Sequence, residues 1–172
     1  MLVPDYYFDT VYDIPLALLK REKVRCLLLD IDNTLVPYDV ETPTEQNRAW
    51  LKSLADAGIQ VFFVSNNNAE RVERFAKGLL IPYAADAGKP FTKKYRALTG
   101  EYGFSPRECA TVGDQIFTDV LAGSLFGAKR ILVRPIKNVE NTFFRVKRFF
   151  EVPFVRAARR RMKHKRLSWD FV

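Results

Sequence analysis

Two aspartates, Asp30 and Asp32, follow directly on a short apolar run that ends at residue 29. Side chains alternate along a strand, so two carboxylates one residue apart can occupy its tip and the position just beyond it. A carboxylate can attack a phosphate ester and form an aspartyl-phosphate. A second carboxylate that carries a proton, here Asp32, can protonate the leaving alkoxide and later activate water. A carboxylate pair at such a position is therefore suited to phosphate-ester chemistry.

Similar polar residues occur at three further points of the chain. Residues 65–68 read Ser-Asn-Asn-Asn, residues 113–115 read Gly-Asp-Gln, and Lys89 lies just ahead of the third predicted helix. In a parallel sheet, ligands bind outside the carboxyl ends of the strands, so these residues are expected at one edge. Asp114 adds a carboxylate for a hard cation such as Mg²⁺. Lys89 and Ser65 can neutralise and hydrogen-bond a phosphoryl group.

The elements that must position these residues follow from hydrophobic patterning. Short apolar runs alternate with longer amphipathic stretches, which predicts a parallel sheet wrapped by helices. The run Cys26-Leu27-Leu28-Leu29 is typical of a strand buried on both faces. We predict an α/β fold with a three-layer Rossmann-like core and a central parallel sheet. The predicted strands are residues 24–29, 59–64, 81–84, 109–112 and 130–133, and the predicted helices are residues 44–57, 69–78, 91–102 and 116–126.

Composition indicates a globular protein with one folded core. With 172 residues, of which 48% are hydrophobic and 28% charged, the chain can bury a core and does not read as disordered. Cys26 and Cys109 lie in predicted strands and are expected to be buried free thiols. Residues 1–10 lack the basic flank of a signal peptide, and no apolar run reaches the roughly 18 residues of a membrane span. We therefore expect a cytoplasmic location, or peripheral binding to the inner face of the membrane.

The positive charge of the chain is concentrated at its C-terminal end. The net charge is +8, and residues 143–172 carry ten Lys and Arg against Glu151 and Asp170, so residues 1–142 are neutral as a whole. Aromatic residues alternate with bases in residues 143–150. We predict a catalytic domain over residues 1–142, which includes an N-terminal extension, and a basic aromatic tail over residues 143–172.

Four short motifs within residues 25–133 resemble those of the haloacid dehalogenase (HAD) superfamily of phosphatases. The first, Asp30-Ile31-Asp32-Asn33-Thr34, looks like the DxDxT motif of that superfamily. The second lies in residues 61–67, the third is Gly88-Lys89-Pro90, and the fourth spans residues 112–119. The N-terminal sequence Pro4-Asp5-Tyr6 and the sequence Asp32-Asn33-Thr34-Leu35 of the first motif resemble those of the YqeG branch of HAD subfamily IIIA. That branch is similar to mitochondrial phosphatidylglycerophosphate phosphatases, enzymes of the cardiolipin pathway.

The resemblance implies a role for each motif residue. Asp30 would be the nucleophile, Asp32 the general acid and base, and Thr34 a support of the loop. The implied phosphate ligands are Ser65, Asn66 and Lys89, and the implied Mg²⁺ ligands are Asp30, Asp114 and the backbone carbonyl of Asp32. Asp119 would either lie just outside the metal ligands or orient Lys89. HAD phosphatases often carry an inserted cap domain, but the stretches between these motifs are only long enough for core elements, so no cap is expected.

Local explanations remain open for several of these residues. The aspartate pair could form an Asx turn, and Asp114 could cap the helix predicted from residue 116. Ser65 begins a sequence that also suits a loop or an N-cap, and Asp119 could lie on an exposed helix face. His164, the only histidine, lies in the basic tail and is not expected to be catalytic.

The resemblance and the tail together favour a phosphorylated lipid as substrate. The resemblance implies dephosphorylation of phosphatidylglycerophosphate, and the bases of the tail could bind an anionic membrane. In the alternative interpretation, the phenylalanines of the tail pack on the core and its bases are solvated. A second enzyme hypothesis is a soluble phosphatase for a nucleotide, sugar phosphate or phosphoprotein. A hypothesis of another class is an RNA- or ribosome-associated protein whose tail binds nucleic acid.

Overall fold

A computed structural model of the chain describes residues 2–137, 152–157 and 160. Within these residues, six parallel strands form one sheet in the order β1-β6-β5-β2-β3-β4. The strands are β1 Tyr6–Phe8, β2 Cys26–Leu29, β3 Gln60–Val64, β4 Tyr83–Ala84, β5 Cys109–Gly113 and β6 Lys129–Val133. Five of them correspond to the predicted strands, and all of β2 is buried, as its continuous apolar run predicts.

Helices cover both faces of the sheet. They are α1 Leu16–Arg21, α2 Glu45–Asp56, α3 Ala69–Ala76, α4 Lys93–Glu101 and α5 Leu121–Phe126. Successive residues of β2 point to opposite faces, so Leu27 packs in a cluster with residues of α1, α2 and α3. Leu28 packs in a second cluster with Tyr95 of α4 and Phe126 of α5. The predicted three-layer α/β architecture is therefore confirmed, and no cap domain interrupts residues 2–137.

The N-terminal extension contributes a strand that the hydrophobic pattern did not predict. β1 pairs in parallel with β6, with Tyr6 opposite Ile131. Just ahead of β1, the carboxylate of Asp5 accepts hydrogen bonds from the backbone N–H of Arg130 at 2.9 Å and from its Nη2 at 2.8 Å. The extension is part of the sheet because it pairs with the edge of β6 that would otherwise be open.

The position of β2 in the sheet creates a crevice for ligands. β2 pairs with β3 on one side and with β5 on the other, and Leu29 lies opposite both Phe63 and Val112. The chain runs from β2 to β3 in one direction and returns to β5 on the opposite side, so β2 is the topological switch point. Ligands of open parallel sheets bind at such a point, outside the carboxyl ends of the strands. The motif residues after these three strands therefore meet at one edge.

The helix predicted over residues 116–126 has two parts. Ile116–Val120 form a π-helical turn, and α5 follows it. Wide turns of this kind occur often at functional sites because they change the direction in which a side chain points. The turn places Asp119 at the carboxyl edge of β5, where a continuous α-helix was expected.

One part of the predicted tail packs on the body of the protein. Residues 152–157 are helical, and Phe154 and Val155 contact a buried cluster that contains Ile116 and Leu132. Phe154 therefore packs on the core, as the alternative interpretation predicts for the phenylalanines of the tail. The alternating aromatic and basic residues of 143–150, most of the other bases and His164 lie outside the described residues, and the boundary at residue 142 stays a prediction. Among the described residues, no helix is long and apolar enough to cross a membrane.

Candidate active site

Asp30 is buried at the carboxyl end of β2. Its backbone N–H donates to the carbonyl oxygen of Val112 at 2.9 Å, which continues the pairing with β5. Its carboxylate accepts a hydrogen bond from Lys89 Nζ at 2.7 Å and one from the Thr34 hydroxyl at 3.1 Å. Burial raises the pKa of Asp30 to about 6. The positive charge of Lys89 opposes this rise, and the negative charge of Asp119 adds to it. The site therefore buries this carboxylate and also supplies a cation that favours its charged form.

Lys89 bridges two carboxylates. Its Nζ lies 2.7 Å from Asp30 Oδ1 and 2.6 Å from Asp119 Oδ1, and its side chain is only 3% exposed. Burial alone would lower the pKa of Lys89, but the two carboxylates raise it well above its ordinary value. Lys89 is thus a fixed positive charge beside Asp30, which is the arrangement expected of a phosphate ligand.

Two other side chains hold Lys89 in place. The amide of Asn66 accepts from the backbone N–H of Lys89 at 2.7 Å and donates to its carbonyl oxygen at 3.2 Å. The second oxygen of Asp119 accepts the N–H of Gln115 and the hydroxyl of Thr118, both at 3.2 Å. Asp119 is buried, so an exposed helix face is wrong for this residue. The contact between Asp119 and Lys89 supports the expectation that Asp119 orients Lys89. The phosphate contact predicted for Asn66 stays a prediction, and it falls to the backbone N–H of Asn66, because the side-chain amide bonds to Lys89.

Three buried carboxylates form a candidate cation site. Asp30, Asp114 and Asp119 each have an oxygen within 4.8 Å of the other two. Gly113 permits this approach, because a Cβ at that position would overlap Cγ of Asp119. Within the described part of this cluster three carboxylates accompany one lysine, and oxygen donors suit a hard divalent ion. The donor set fits the predicted Mg²⁺ at Asp30 and Asp114, and it adds Asp119 as a candidate ligand.

The carboxylate of Asp32 is held outside this cluster. Its Oδ1 accepts Arg71 Nη2 at 2.8 Å and Nε at 3.2 Å, and its Oδ2 accepts the amide of Asn67 at 3.1 Å. Asp30 and Asp32 thus bond to side chains 59 and 39 residues away, which argues against a simple Asx turn. The predicted metal contact of Asp32 was through its backbone carbonyl, and it stays a prediction. The two aspartates have separate partners, as a nucleophile and a proton-transfer group require.

The predicted residues surround one pocket of about 210 Å³. It is lined by Asp30, Asp32, Tyr38, Ser65, Asn66, Asn67, Lys89, Gln115, Thr118 and Asp119. Ser65 is buried at the end of β3, and its hydroxyl accepts the N–H of Asn67 at 3.0 Å, so the local turn proposed for this stretch also forms. Thr34 bonds to Asp30, and Asp114 belongs to the acidic cluster. The structure therefore brings all of the predicted site residues to one edge of the sheet.

Five residues of this site had no predicted role, among them Gln115 and Thr118, which belong to the fourth motif and line the pocket. Arg71 and Asn67 bond to Asp32, and Tyr38 lines the pocket with 41% of its surface exposed. Arg71 did leave a signal, because it neighbours Val72 on the buried face of α3, where a charged side chain needs a partner. Tyr38 left none, since its position depends on how the chain returns from β2 to α2.

Comparisons with known proteins agree with this geometry. Residues 86–135, which contain Lys89, Asp114 and Asp119, match a family model described as HAD-hydrolase-like. Over 159 residues the chain is 33% identical to the probable phosphatase YqeG of Bacillus subtilis (strain 168), and the match covers 92% of each chain. The chain belongs to the YqeG family of HAD phosphatases. It is therefore an enzyme, a phosphatase of the HAD type, as the four motifs indicated.

Solved structures share the fold of this YqeG-family phosphatase. A hypothetical protein from Xanthomonas campestris matches with a TM-score of 0.55 and 24% identity, over 70% of this chain and 71% of that one. The cobalt-bound deoxy-D-mannose-octulosonate 8-phosphate phosphatase of Haemophilus influenzae matches with a TM-score of 0.52 and 18% identity, over 81% of this chain and 91% of that one. At these identities the likeness shows the HAD fold alone.

Proposed function

We propose that this YqeG-family phosphatase hydrolyses phosphomonoesters through an aspartyl-phosphate on Asp30. The observation that carries the proposal is the buried Lys89, which joins Asp30 to Asp119 inside the acidic cluster at the switch point. A carboxylate nucleophile, a fixed cation and donors for a hard metal ion are the components that phosphoryl transfer uses. Burying each of these charges costs on the order of several kcal/mol before partner charges offset it. A protein that only binds a ligand has no need of such an arrangement.

The proposed reaction has two steps. First, a carboxylate oxygen of Asp30 bonds to phosphorus, the bond from phosphorus to the ester oxygen breaks, and the leaving alkoxide takes a proton from Asp32. Second, water attacks phosphorus, gives a proton to Asp32, and the bond to Asp30 breaks. Inorganic phosphate leaves, and both aspartates return to their initial states. Lys89, Ser65 and the backbone N–H groups after Ser65 would hold the phosphoryl oxygens.

Mg²⁺ is the cofactor we propose for this site. Asp30, Asp114 and the backbone carbonyl of Asp32 would hold it, and Asp119 is close enough to contribute. When bound, the ion neutralises phosphoryl charge so that an anionic carboxylate can approach the phosphate. The carboxylate oxygens of the cluster support a divalent cation.

The proposed substrate is phosphatidylglycerophosphate. Within residues 2–137 no cap domain is inserted over the pocket, and one exposed aromatic side chain lines it. Tyr38 lines the pocket, and Phe91, which follows Lys89 by two residues, is 75% exposed. A phosphorylated head group could enter beside Tyr38 while its acyl chains stay in a bilayer. The choice of this particular lipid rests on the resemblance of the YqeG branch to phosphatidylglycerophosphate phosphatases.

We further propose that the chain works at the cytoplasmic face of a membrane, where its basic tail contacts anionic lipids. The support is the charge distribution, since residues 143–172 carry the whole net charge of +8, and each Lys or Arg near such a surface is worth about 1 kcal/mol. The same bases would attract nucleic acid, so an RNA- or ribosome-associated role is the alternative for the tail. A soluble phosphomonoester is the alternative for the substrate.

A substrate screen tests the catalytic proposal. The purified chain is assayed with phosphatidylglycerophosphate in mixed micelles, a nucleoside monophosphate, a sugar phosphate and a phosphopeptide, each with Mg²⁺ and with EDTA. We expect the lipid to be cleaved fastest, with activity lost in EDTA and restored by excess Mg²⁺. Faster cleavage of a soluble phosphate would replace the lipid by that substrate class, and activity that survives EDTA would contradict the metal requirement.

Vesicle binding tests the role of the tail. Removing residues 161–172 deletes four Lys and Arg and keeps the helical residues 152–157 that pack on the core. We expect the shortened chain to sediment less with phosphatidylglycerol vesicles than the full chain does, and neither to sediment with neutral phosphatidylcholine vesicles. Equal binding of the two chains, or retention of RNA in preference to vesicles by the full chain, would contradict a membrane role for these bases.

A further inference from the structure

Arg71 is a buried arginine that contacts Asp32 from the first turn of α3. Its Nη2 and Nε donate to the same oxygen of Asp32, at 2.8 and 3.2 Å, and the side chains of both residues are less than a tenth exposed. The other oxygen of Asp32 accepts the amide of Asn67. The carboxylate of Asp32, which lines the pocket, is thus hydrogen-bonded both by a residue of α3 and by a residue of the loop after β3.

The guanidinium of Arg71 is itself fixed from the opposite side. It donates to the carbonyl oxygens of Val40 at 2.7 Å and Glu41 at 3.1 Å, which belong to the segment of residues 37–44 between the first motif and α2. The same group lies 5.8 Å from the centre of the Phe75 ring, and the backbone N–H of Arg71 bonds to the side chain of Asn68, the N-cap of α3. These contacts leave Arg71 little rotational freedom.

Fold stability alone does not account for this pair. Replacing a buried ion pair by apolar residues of similar volume is often neutral or stabilising. A planar guanidinium differs from an ammonium because it can donate several hydrogen bonds in a fixed geometry. Arg71 uses that property to connect Asp32 with the segment that carries Tyr38, a pocket-lining residue.

We propose that Arg71 is a positioning residue that holds the carboxylate of Asp32 at the leaving-group side of the pocket. This inference rests on the proposed function, in which Asp32 transfers the proton to the leaving alkoxide. Without Arg71, Asp32 would be present but misplaced, and a displacement of about 1 Å can cost on the order of 100-fold in rate. The loss should fall on substrates whose leaving group needs that proton.

Two substrates separate positioning from general damage. An alkyl phosphate needs protonation of its leaving group, whereas p-nitrophenolate departs without it. The measurement is kcat/KM, because it reports only the steps through loss of the leaving group. The alkyl substrate is phosphatidylglycerophosphate in mixed micelles, or the alkyl ester that the screen shows to be cleaved best. For Arg71→Met we expect a loss of about 100-fold with the alkyl phosphate and less than about fivefold with p-nitrophenyl phosphate.

Further variants make the test specific to Asp32. Asp32→Asn should show the same selective loss, and Arg71→Met added to Asp32→Asn should lower kcat/KM no further, because Arg71 acts through the group already removed. The matched control is Arg74→Met, since Arg74 lies on the same helix and its side chain is half exposed in pairs with Glu41 and Glu70. We expect the control to keep both activities.

Several results would overturn the proposal. They are equal losses on the two substrates, no loss with the alkyl phosphate, or a further loss when Arg71→Met is added to Asp32→Asn. If Arg71→Met fails to fold, Arg71→Lys is used instead, because it keeps the charge but not the planar set of hydrogen-bond donors. Its expected loss of kcat/KM is smaller and is still confined to the alkyl phosphate. Failure of the proposed function has a different signature, because then the wild type is inactive on every phosphomonoester or Asp30→Asn keeps its activity.

Discussion

Buried charges at the centre of the sheet and ion pairs at its outer edge serve different purposes. At the outer edge, Arg130 pairs with Asp5, and their side chains are 18% and 26% exposed. At the centre, Lys89 is shared by two carboxylates, and a third, Asp114, lies within the same cluster. The outer pair joins the N-terminal extension to β6. Burying charges as at the centre costs free energy that their partners must offset, so such a group is better suited to chemistry than to stability.

The sharpest test of this difference is Asp30→Asn. Loss of the nucleophile should lower kcat by on the order of 10⁴-fold or more. Because Asp30 is a buried carboxylate near two others, its neutralisation relieves repulsion, so the melting temperature without metal should be unchanged or higher. Asp56→Asn is the control, since Asp56 is exposed and pairs with Lys52 on the surface. Near-normal turnover of Asp30→Asn would exclude Asp30 as nucleophile.

Lys89→Met should damage both activity and stability. Activity should fall by about 10²- to 10³-fold, because a charge that faces the phosphoryl group is lost. Stability should fall by about 3–5 kcal/mol, because two buried carboxylates lose their cation. Adding Asp119→Asn should recover part of the stability but not the activity. Denaturant unfolding and phosphatase assays measure the two effects, with Lys52→Met as the exposed control; a Lys89→Met enzyme with full activity would contradict the assignment.

Gly113→Ala tests the close approach within the central cluster. The new Cβ would overlap the side chain of Asp119, so Asp119 must move away from Lys89 and Asp114. Overpacking of this kind costs about 1–3 kcal/mol, and we expect a weaker response of activity to Mg²⁺ in a titration. Gly100→Ala is the matched control, because nothing lies within 4 Å of the added methyl group in α4. An unchanged Mg²⁺ titration for Gly113→Ala would show that the cluster tolerates displacement of Asp119.

Asp5→Asn should have the smallest effect and should leave phosphatase activity unchanged. Burial opposes it, but the hydrogen bonds and charge of Arg130 hold the pKa of Asp5 below its ordinary value of 3.8. Because the folded-state pKa is depressed, the stabilisation is present above pH 3.8 and is lost as pH falls through the lower folded value. The variant should lose about 1 kcal/mol at pH 7, and the difference from wild type should shrink in acid. Thermal unfolding at pH 7 and near pH 3 measures this, and an equal difference at both would contradict the charge pairing.

The sequence by itself determined most of the residues that meet at the candidate active site. Asp30, Ser65 and Asp114 each follow an apolar run, and parallel strands present their carboxyl ends at one edge, so order and spacing were enough to place them together. The hydrophobic pattern likewise determined five strands and the layered architecture, because strands buried on both faces have a distinctive composition.

Only the tertiary structure decided how the charged groups pair. Arg71 reaches Asp32 across 39 residues, and Lys89 reaches Asp119 across 30. Such contacts depend on side-chain direction, on the π-helical turn at Ile116–Val120 and on the position of neighbouring loops. The strand at Tyr6–Phe8 was likewise decided only by the tertiary structure. Three residues show too little periodicity for a strand to be predicted from them, and they acquire their conformation by pairing with β6. Local patterns encode where the chain turns, whereas these pairings depend on which distant segments meet.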